Sequence, residues 1–232
     1  MLNSKQQTHK SITIIAGASG LIGSEVLESL LKSDDIDTIH CLVRKSLPLH
    51  SNKLQQHIDL NLRITNWNEE QHIPETGYIC LGTTLEQAGS KQALKDIDVD
   101  LVCQVAHTMK VLGVKRIAVV SSLFAHPWSP SHYLRCKGKM EKLLTQIGFD
   151  QVVFTRPGPL LGERAIPRKN EVVTATMLSL FQPFLVGPLA NIKPIQAQKV
   201  AQAMVHSLNA PFHSDSSKTV ILSSRRMEEI AQ

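Results

Sequence analysis

Tyr133 and Lys137 stand four residues apart in the segment Tyr133-Leu134-Arg135-Cys136-Lys137. On a helix this spacing projects both side chains from one face. A phenol next to an ammonium is suited to donating a proton, because the cation favours the phenolate that is left behind. Ser121 and Ser122 lie a short way upstream. A hydroxyl there is suited to orienting a substrate oxygen and to stabilising charge that develops on it. Of the two, Ser122 is the favoured candidate for that task, and Ser121 for a cofactor contact.

A second constellation precedes this one. The apolar run Ile12-Thr13-Ile14-Ile15-Ala16 leads directly into Gly17-Ala18-Ser19-Gly20-Leu21-Ile22-Gly23. Strand, glycine-spaced loop and helix in that order form a phosphate cradle. Gly17 permits the tight turn, Gly20 lets a pyrophosphate approach the backbone, and Gly23 lets the helix pack close to the strand. The free amides of the helix start, Ser19, Leu21 and Ile22 among the flanking residues, then face an anion. The spacing GxxGxxG points toward short-chain dehydrogenases and their relatives.

The choice of nucleotide falls to the end of the second strand. Cys41-Leu42-Val43 is followed there by Arg44 and Lys45. An acidic residue at that point would accept from the ribose 2′-hydroxyl of NAD, whereas a guanidinium pairs with a 2′-phosphate. The expected cofactor is therefore NADP(H). Carbonyl reduction needs hydride from a nicotinamide and a proton at the substrate oxygen, and Tyr133 with Lys137 supplies the second.

These groups require a scaffold of alternating strands and helices. The apolar periodicity predicts strands at Ile12–Ala16, Ile39–Val43, Gln56–Leu60, Tyr78–Leu81, Arg116–Ser121, Gln151–Thr155 and near Thr219–Leu222. Helices are expected over Gly20–Leu31, Val99–Leu112, His132–Ile147, Glu171–Leu180 and Lys199–Leu208, with Gly113 and Gly148 as stops. The implied fold is α/β: a Rossmann-type doubly wound parallel sheet of about seven strands, helices on both faces, and a small C-terminal substrate-side lobe. We expect a single domain over residues 1–232, with 11–158 binding the cofactor and 159–232 forming the smaller substrate-side part. The apolar stretch Phe181–Leu189, broken by Pro183, Gly187 and Pro188, reads first as a packed connection over the substrate side, with a substrate lid, a dimer surface and a membrane-touching patch as the alternatives. Arg164, Arg168 and Lys169 are candidates for holding an anionic substrate.

Composition narrows the classes. The chain has 232 residues, 42% of them apolar and 4% aromatic, enough for one sizeable core rich in Val, Ile and Leu. Lys and Arg number 25 against 20 acidic residues, but they are scattered and do not interleave with aromatics, which argues against nucleic-acid binding. The four cysteines Cys41, Cys80, Cys103 and Cys136 form no CxxC pair, so reduced core thiols are expected and no metal site. Met1 to Lys10 lacks an apolar segment and no 18-residue apolar run occurs. That excludes a secretory signal and a membrane span, leaving a cytoplasmic protein as the expectation.

Taken in order, Gly17–Gly23, Leu42-Val43-Arg44-Lys45, Cys80-Leu81-Gly82-Thr83-Thr84 with Ala88-Gly89, Ser121-Ser122, Tyr133–Gly138 and Arg156-Pro157-Gly158 with Leu160-Leu161 resemble the short-chain dehydrogenase/reductase superfamily in its atypical branch. More narrowly, the chain is similar to the Tat-interacting-protein-like group of NADP(H)-binding oxidoreductases. The resemblance implies that Asp59 and Leu60 lie against the adenine and that Leu81, Gly82 and Thr83 line the cofactor. It implies that Pro157 and Gly158 face the nicotinamide carboxamide. Tyr133 and Lys137 are candidates for cofactor contact as well, with Lys137 able to reach the nicotinamide ribose. The resemblance also allows a homodimer.

The function expected from the sequence is NADPH-dependent reduction of a small carbonyl compound, with Ser122, Tyr133 and Lys137 as catalytic residues. Two alternatives stand beside it. One is an NADP(H)-sensing regulator acting through a protein partner, and the other a nucleotide-sugar epimerase- or dehydratase-like enzyme.

Overall fold

Strand-forming apolar runs in this chain alternate with amphipathic helices, and a computed structural model shows how they assemble. It describes residues 11–64, 67, 73–161, 193–212 and 218–232. The strands are β1 (Ser11–Ala16), β2 (Ile36–Val43), β3 (Leu54–Ile58), β4 (Thr76–Ile79), β5 (Arg116–Val120), β6 (Gln151–Arg156), β7 (Leu160–Leu161), β8 (Ile195–Gln196) and β9 (Thr219–Ser223). The helices are α1 (Leu21–Lys32), α2 (Leu85–Ala88), α3 (Lys91–Lys95), α4 (Val102–Val111), α5 (His132–Leu144), α6 (Ala197–Asn209) and α7 (Ser224–Ile230). A π-helical turn, Asp96–Leu101, leads into α4.

Seven strands form one parallel sheet in the order β3-β2-β1-β4-β5-β6-β9, and β7 pairs with β8 apart from it. The expected Rossmann-type sheet is thus present. Alternation along β1 sends neighbouring side chains to opposite faces. Ile15 joins Val26, Leu27 and Leu30 of α1 and Val200, Met204 and Leu208 of α6. Ile14 joins Val102, Val105 and Met109 of α4 and Met140 and Leu144 of α5. Both layers are dry at their centres, with Ile14, Ile15, Leu30, Met109 and Met204 fully buried.

The chain order reverses between β1 and β4. Strands β2 and β3 lie to one side of β1 and the later strands to the other. A crevice opens at the carboxyl ends of the strands at such a switch point, where ligands bind in open α/β sheets.

Several boundaries differ from the sequence expectation. β3 spans Leu54–Ile58, two residues before the predicted strand, because Leu54 pairs with Ile39 and the edge strand has no deeply buried face to mark its register. The predicted helix Val99–Leu112 is divided into the π-turn and α4. Residues after 159 supply α6, which packs on α1, and β9, which pairs with β6. Helix α7 follows β9 and is capped by Ser223 Oγ on the Arg226 amide. The predicted helix Glu171–Leu180, the stretch Phe181–Leu189, and Arg164, Arg168 and Lys169 lie outside the described residues. No helix among the described residues is long and apolar enough to cross a membrane.

Candidate functional site

The loop between β1 and α1 is shaped by glycine for reasons visible in its contacts. Gly17 has φ +88°, and a Cβ there would lie 2.7 Å from the Cys80 carbonyl. A Cβ at Gly23 would fall 2.1 Å from the Gly17 oxygen. Both glycines are therefore demanded by packing within the protein, while Ser19, Gly20, Leu21 and Ile22 line a cleft. The first-turn amides of α1 have no intrahelical acceptor. Gly20 at the N-cap has no side chain to cap them, and the turn carries no acidic residue. Such a helix start suits a phosphate, through its free N–H groups and the positive end of its dipole.

From this loop the cleft, about 600 Å³ in volume, runs past Leu81, Gly82 and Thr83 to Ser121, Ser122, Tyr133 and Lys137, and on to Pro157 and Gly158. Residues far apart in sequence meet there because β1, β4, β5 and β6 are adjacent and parallel, so the loops after them open at one edge. A dinucleotide fits this donor set: unfilled amides at one end, and hydroxyl and ammonium groups at the other.

Helix α5 sets the far end. Tyr133, Lys137 and Glu141 recur every four residues and so form one stripe. Gly138 lets this helix press against the preceding loop, since a Cβ there would lie 2.2 Å from the carbonyl carbon of His126. The loop is tied down further by the His126 amide donating to the Leu134 carbonyl at 3.2 Å and by Arg135 Nη1 donating to the Ser129 carbonyl at 2.7 Å.

The two serines have different partners. Ser121 is buried and its Oγ donates to Glu141 Oε1 at 2.5 Å. The same carboxylate accepts from Arg156 Nε at 2.9 Å and from Arg156 Nη2 at 2.5 Å. Among the described residues Ser122 makes a longer contact, Oγ donating to the Leu123 carbonyl at 3.3 Å. The cleft wall at Gly158 is held by its amide donating to Ser224 Oγ at 2.8 Å.

Lys137 is deeply buried and its Nζ lies 2.5 Å from Asp98 Oδ1. It also donates to the Val120 carbonyl at 3.4 Å. Burial alone pushes the Lys137 ammonium toward giving up its proton, but Asp98, assisted by Tyr133 and Glu141, holds it above the usual lysine range. The other oxygen of Asp98 accepts from the Thr83 amide at 3.2 Å.

The remaining expected contacts stand apart from this cleft. Arg44 and Lys45 follow β2 and are exposed. Asp59 and Leu60 follow β3, where Asp59 Oδ1 accepts from the Asn61 amide at 2.8 Å and the Arg63 amide at 3.0 Å. Leu60 is 75% exposed. None of these four lines the cleft. Asp98 and Glu141 are not singled out by the sequence, and Arg156 enters there only as part of the Arg156-Pro157-Gly158 motif, with no role assigned to it. The helical spacing 133, 137, 141 was a signal for Glu141, but nothing local marked Asp98 as the partner of Lys137.

Comparison with known proteins agrees with this architecture. The HIM1 family model matches residues 49–186, and an NAD-binding domain model described as male sterility protein matches residues 15–79. "Protein FMP52, mitochondrial" of Meyerozyma guilliermondii is 28% identical over 231 residues, covering 94% of each chain. Its namesake in Kluyveromyces lactis is 34% identical over 155 residues, 65% of this chain and 68% of that one. Among solved structures, MoeE5 in complex with UDP-glucuronic acid and NAD superposes with a TM-score of 0.65 at 14% identity, covering 92% of this chain and 76% of that one. The UDP-glucuronic acid 4-epimerase of Bacillus cereus with NAD gives 0.62 at 13%, covering 92% and 78%. At such identities the likeness is one of fold, that of the short-chain dehydrogenase and epimerase type.

The names of the relatives correct one expectation. A cytoplasmic location was inferred from the lack of a secretory signal and of a membrane span, yet the curated relatives are named mitochondrial. The lack of an apolar leader and of a long apolar run does not by itself place a protein in the cytoplasm, since import into an organelle needs neither. With the HIM1 model matched over more than half its length and FMP52 proteins similar along most of it, the chain belongs to the HIM1 family.

Proposed function

We propose that this protein is an NADP(H)-dependent oxidoreductase that reduces a small carbonyl compound. The observation that carries the reading is the single cleft in which the uncapped start of α1 and the Ser122, Tyr133 and Lys137 side chains are lined up along one wall system. Bound NADPH supplies hydride. The amides of the α1 start hold the diphosphate, and Arg44 and Lys45, at the exposed end of β2, meet the 2′-phosphate. Ser122 Oγ, which among the described residues makes one long hydrogen bond, to the Leu123 carbonyl, turns to the substrate oxygen. Tyr133 donates the proton to that oxygen, and Lys137 stabilises the phenolate that results. Ser121, committed to Glu141, shapes the cleft floor. Residues 11–158 carry the cofactor side, and within the same domain the described residues after 159 complete the sheet through β9 and cover α1 through α6.

The motif Tyr133–Gly138 with Cys80–Thr84 further supports a place near the Tat-interacting-protein-like oxidoreductases. A second reading, action on a nucleotide sugar, takes support from the UDP-sugar ligands named for MoeE5 and for the Bacillus cereus epimerase. The uncapped α1 start serves both readings. A reductase accepts a free carbonyl compound with net oxidation of NADPH, whereas an epimerase returns its cofactor unchanged.

Titration of the purified protein with NADPH and NADH, followed by nicotinamide fluorescence, tests the cofactor assignment. Tighter NADPH binding that weakens about tenfold in Arg44→Ala is expected, the equivalent of losing one charge-assisted contact. Equal affinity for the two nucleotides, unchanged in Arg44→Ala, removes the NADP assignment. Binding of neither removes the oxidoreductase.

A further inference from the structure

Asp98 sits on the π-helical turn before α4 and is fully buried. Its two carboxylate oxygens reach two different parts of the cleft wall. Oδ1 is 2.5 Å from Lys137 Nζ on α5, and Oδ2 accepts from the Thr83 amide in the loop after β4. Gly82 crosses directly above this pair: a Cβ there would lie 3.2 Å from Lys137 Nζ and 3.3 Å from Asp98 Oδ1. A Cβ here would press on both charged groups, so glycine lets the cleft-lining loop close over them without displacing either. The π-turn has a purpose in this setting, since an extra residue in a helical turn redirects a side chain that a regular helix would aim elsewhere, and such turns recur at functional sites.

We infer that Asp98 is a positioning residue for the Tyr133–Lys137 pair: it fixes Lys137 Nζ beneath Gly82, keeps it charged, and couples its position to the Thr83 loop. A lone ammonium carried into so dry a place loses its proton or pulls in water. Opposite charge at contact distance prevents both, and the second hydrogen bond from Thr83 keeps the carboxylate from rotating away. The titratable groups facing Lys137 are Asp98 from the π-turn and Tyr133 and Glu141 from α5 itself; β5 contributes the Val120 carbonyl. Glu141 is already held by Arg156 and Ser121, so Asp98 is the carboxylate available to Lys137. The inference rests on the role given to Lys137 above and adds a residue to it.

The test reads the lysine directly and uses neither cofactor nor substrate. Protein labelled with 15N at the lysine Nζ is titrated by NMR, and the Lys137 signal is identified as the one lost in Lys137→Arg. In the wild-type protein it stays protonated at least as long as the exposed lysines. In Asp98→Asn its midpoint is expected to fall below theirs, and in Asp98→Glu to move back toward the wild-type value. An unchanged midpoint in Asp98→Asn overturns the inference. Should Asp98→Asn fail to fold, adding Lys137→Met is expected to restore folding by removing the stranded charge, and a double variant that stays unfolded overturns the inference equally. NADPH titration of the same wild-type sample judges the cofactor reading separately, because a protein that binds no nucleotide still has a lysine to titrate.

Discussion

Arg156 grips both oxygens of Glu141, Nε on Oε1 at 2.9 Å and Nη2 on Oε2 at 2.5 Å, from the end of β6 to the last turn of α5. Glu141 is nearly buried, its side chain 9% exposed against 27% for Arg156, and it also accepts the Ser121 hydroxyl. One carboxylate thereby joins β5, β6 and α5 beneath the cleft. The bidentate arrangement restrains α5 in rotation as well as in distance, and so restrains Tyr133 two turns earlier on the same helix face.

Replacing this carboxylate is expected to be costly. Glu141→Gln keeps the shape but strands a half-buried guanidinium with a neutral acceptor. Loss of one partner of a buried ion pair costs about 3–5 kcal/mol, and the partial exposure of Arg156 brings the expectation to about 2–3 kcal/mol. Urea denaturation of the variant against the wild type measures it. A loss of under about 0.5 kcal/mol, the scale of an ordinary surface change, means that the bridge contributes only as a surface pair does.

Two glycines of opposite character offer a comparison. Gly138→Ala places a methyl 2.2 Å from the His126 carbonyl carbon, so the loop carrying His126 or the whole of α5 must shift. Gly148→Ala meets no atom within 4 Å, but its φ is +89°, a strain of about 1–2 kcal/mol for an L-residue. Thermal unfolding is expected to show a distinctly larger loss for Gly138→Ala. Turnover is expected to fall in that variant alone, since only it disturbs Tyr133. Equal effects on both measures refute the close-approach account.

Tyr133→Phe removes the proton donor while leaving the ring that lines the cleft. Turnover of a carbonyl substrate is expected to drop at least about a hundredfold, the lower range for general acid catalysis, with NADPH affinity within about twofold of wild type, a change of less than half a kcal/mol. Affinity lost in parallel with turnover places the phenol in cofactor binding instead of proton transfer.

On the other side of the sheet order, His40 of β2 lies against His57 of β3, with Nδ1 and Nε2 3.0 Å apart, and its ring is 4.8 Å from that of Trp67. Burial, with a smaller contribution from His57, lowers the His40 pKa from 6.5 to about 4. The folded state therefore binds fewer protons than the unfolded one between those values. Stability is complete above pH 6.5 and is lost as the pH falls toward about 4. At about 1.4 kcal/mol per pH unit between 6.5 and about 4, the loss is at most about 3.5 kcal/mol. His40→Phe is expected to flatten this part of the stability curve, measured by urea midpoints between pH 7.5 and 4 (a window of about 3.5 units that spans the transition). An identical slope in the variant assigns the acid sensitivity to other groups.

Much of the scaffold was legible before any coordinates. β1, the glycine loop and α1 form a continuous local motif whose burial and turn requirements are written in consecutive residues, and the structure places them as read. The same holds for α5, where a four-residue spacing puts Tyr133 and Lys137 on one face whatever the rest of the chain does. β3 was less legible. It is an edge strand with few buried positions, so its apolar pattern leaves the register open, and pairing with β2 decides it. The short helix α7 was missed, although its capping serine, Ser223, precedes it in sequence. Its role in holding Gly158 through Ser224 has no local trace.

What the sequence determined by itself is therefore periodic and local: the alternation that makes a parallel sheet, the glycine-bounded helix start, and the Tyr133–Lys137 spacing. Only the tertiary structure decided the partners of the charges. Asp98 looks like one of several acids flanking a helix, Glu141 like an exposed helical acid, and Arg156 like the basic end of a strand. Strand order brings them to Lys137 and Ser121 from elements far apart in the chain. Electrostatic pairing depends on distance through space and on the water excluded between the groups, and neither quantity is encoded in the neighbours of a residue along the chain.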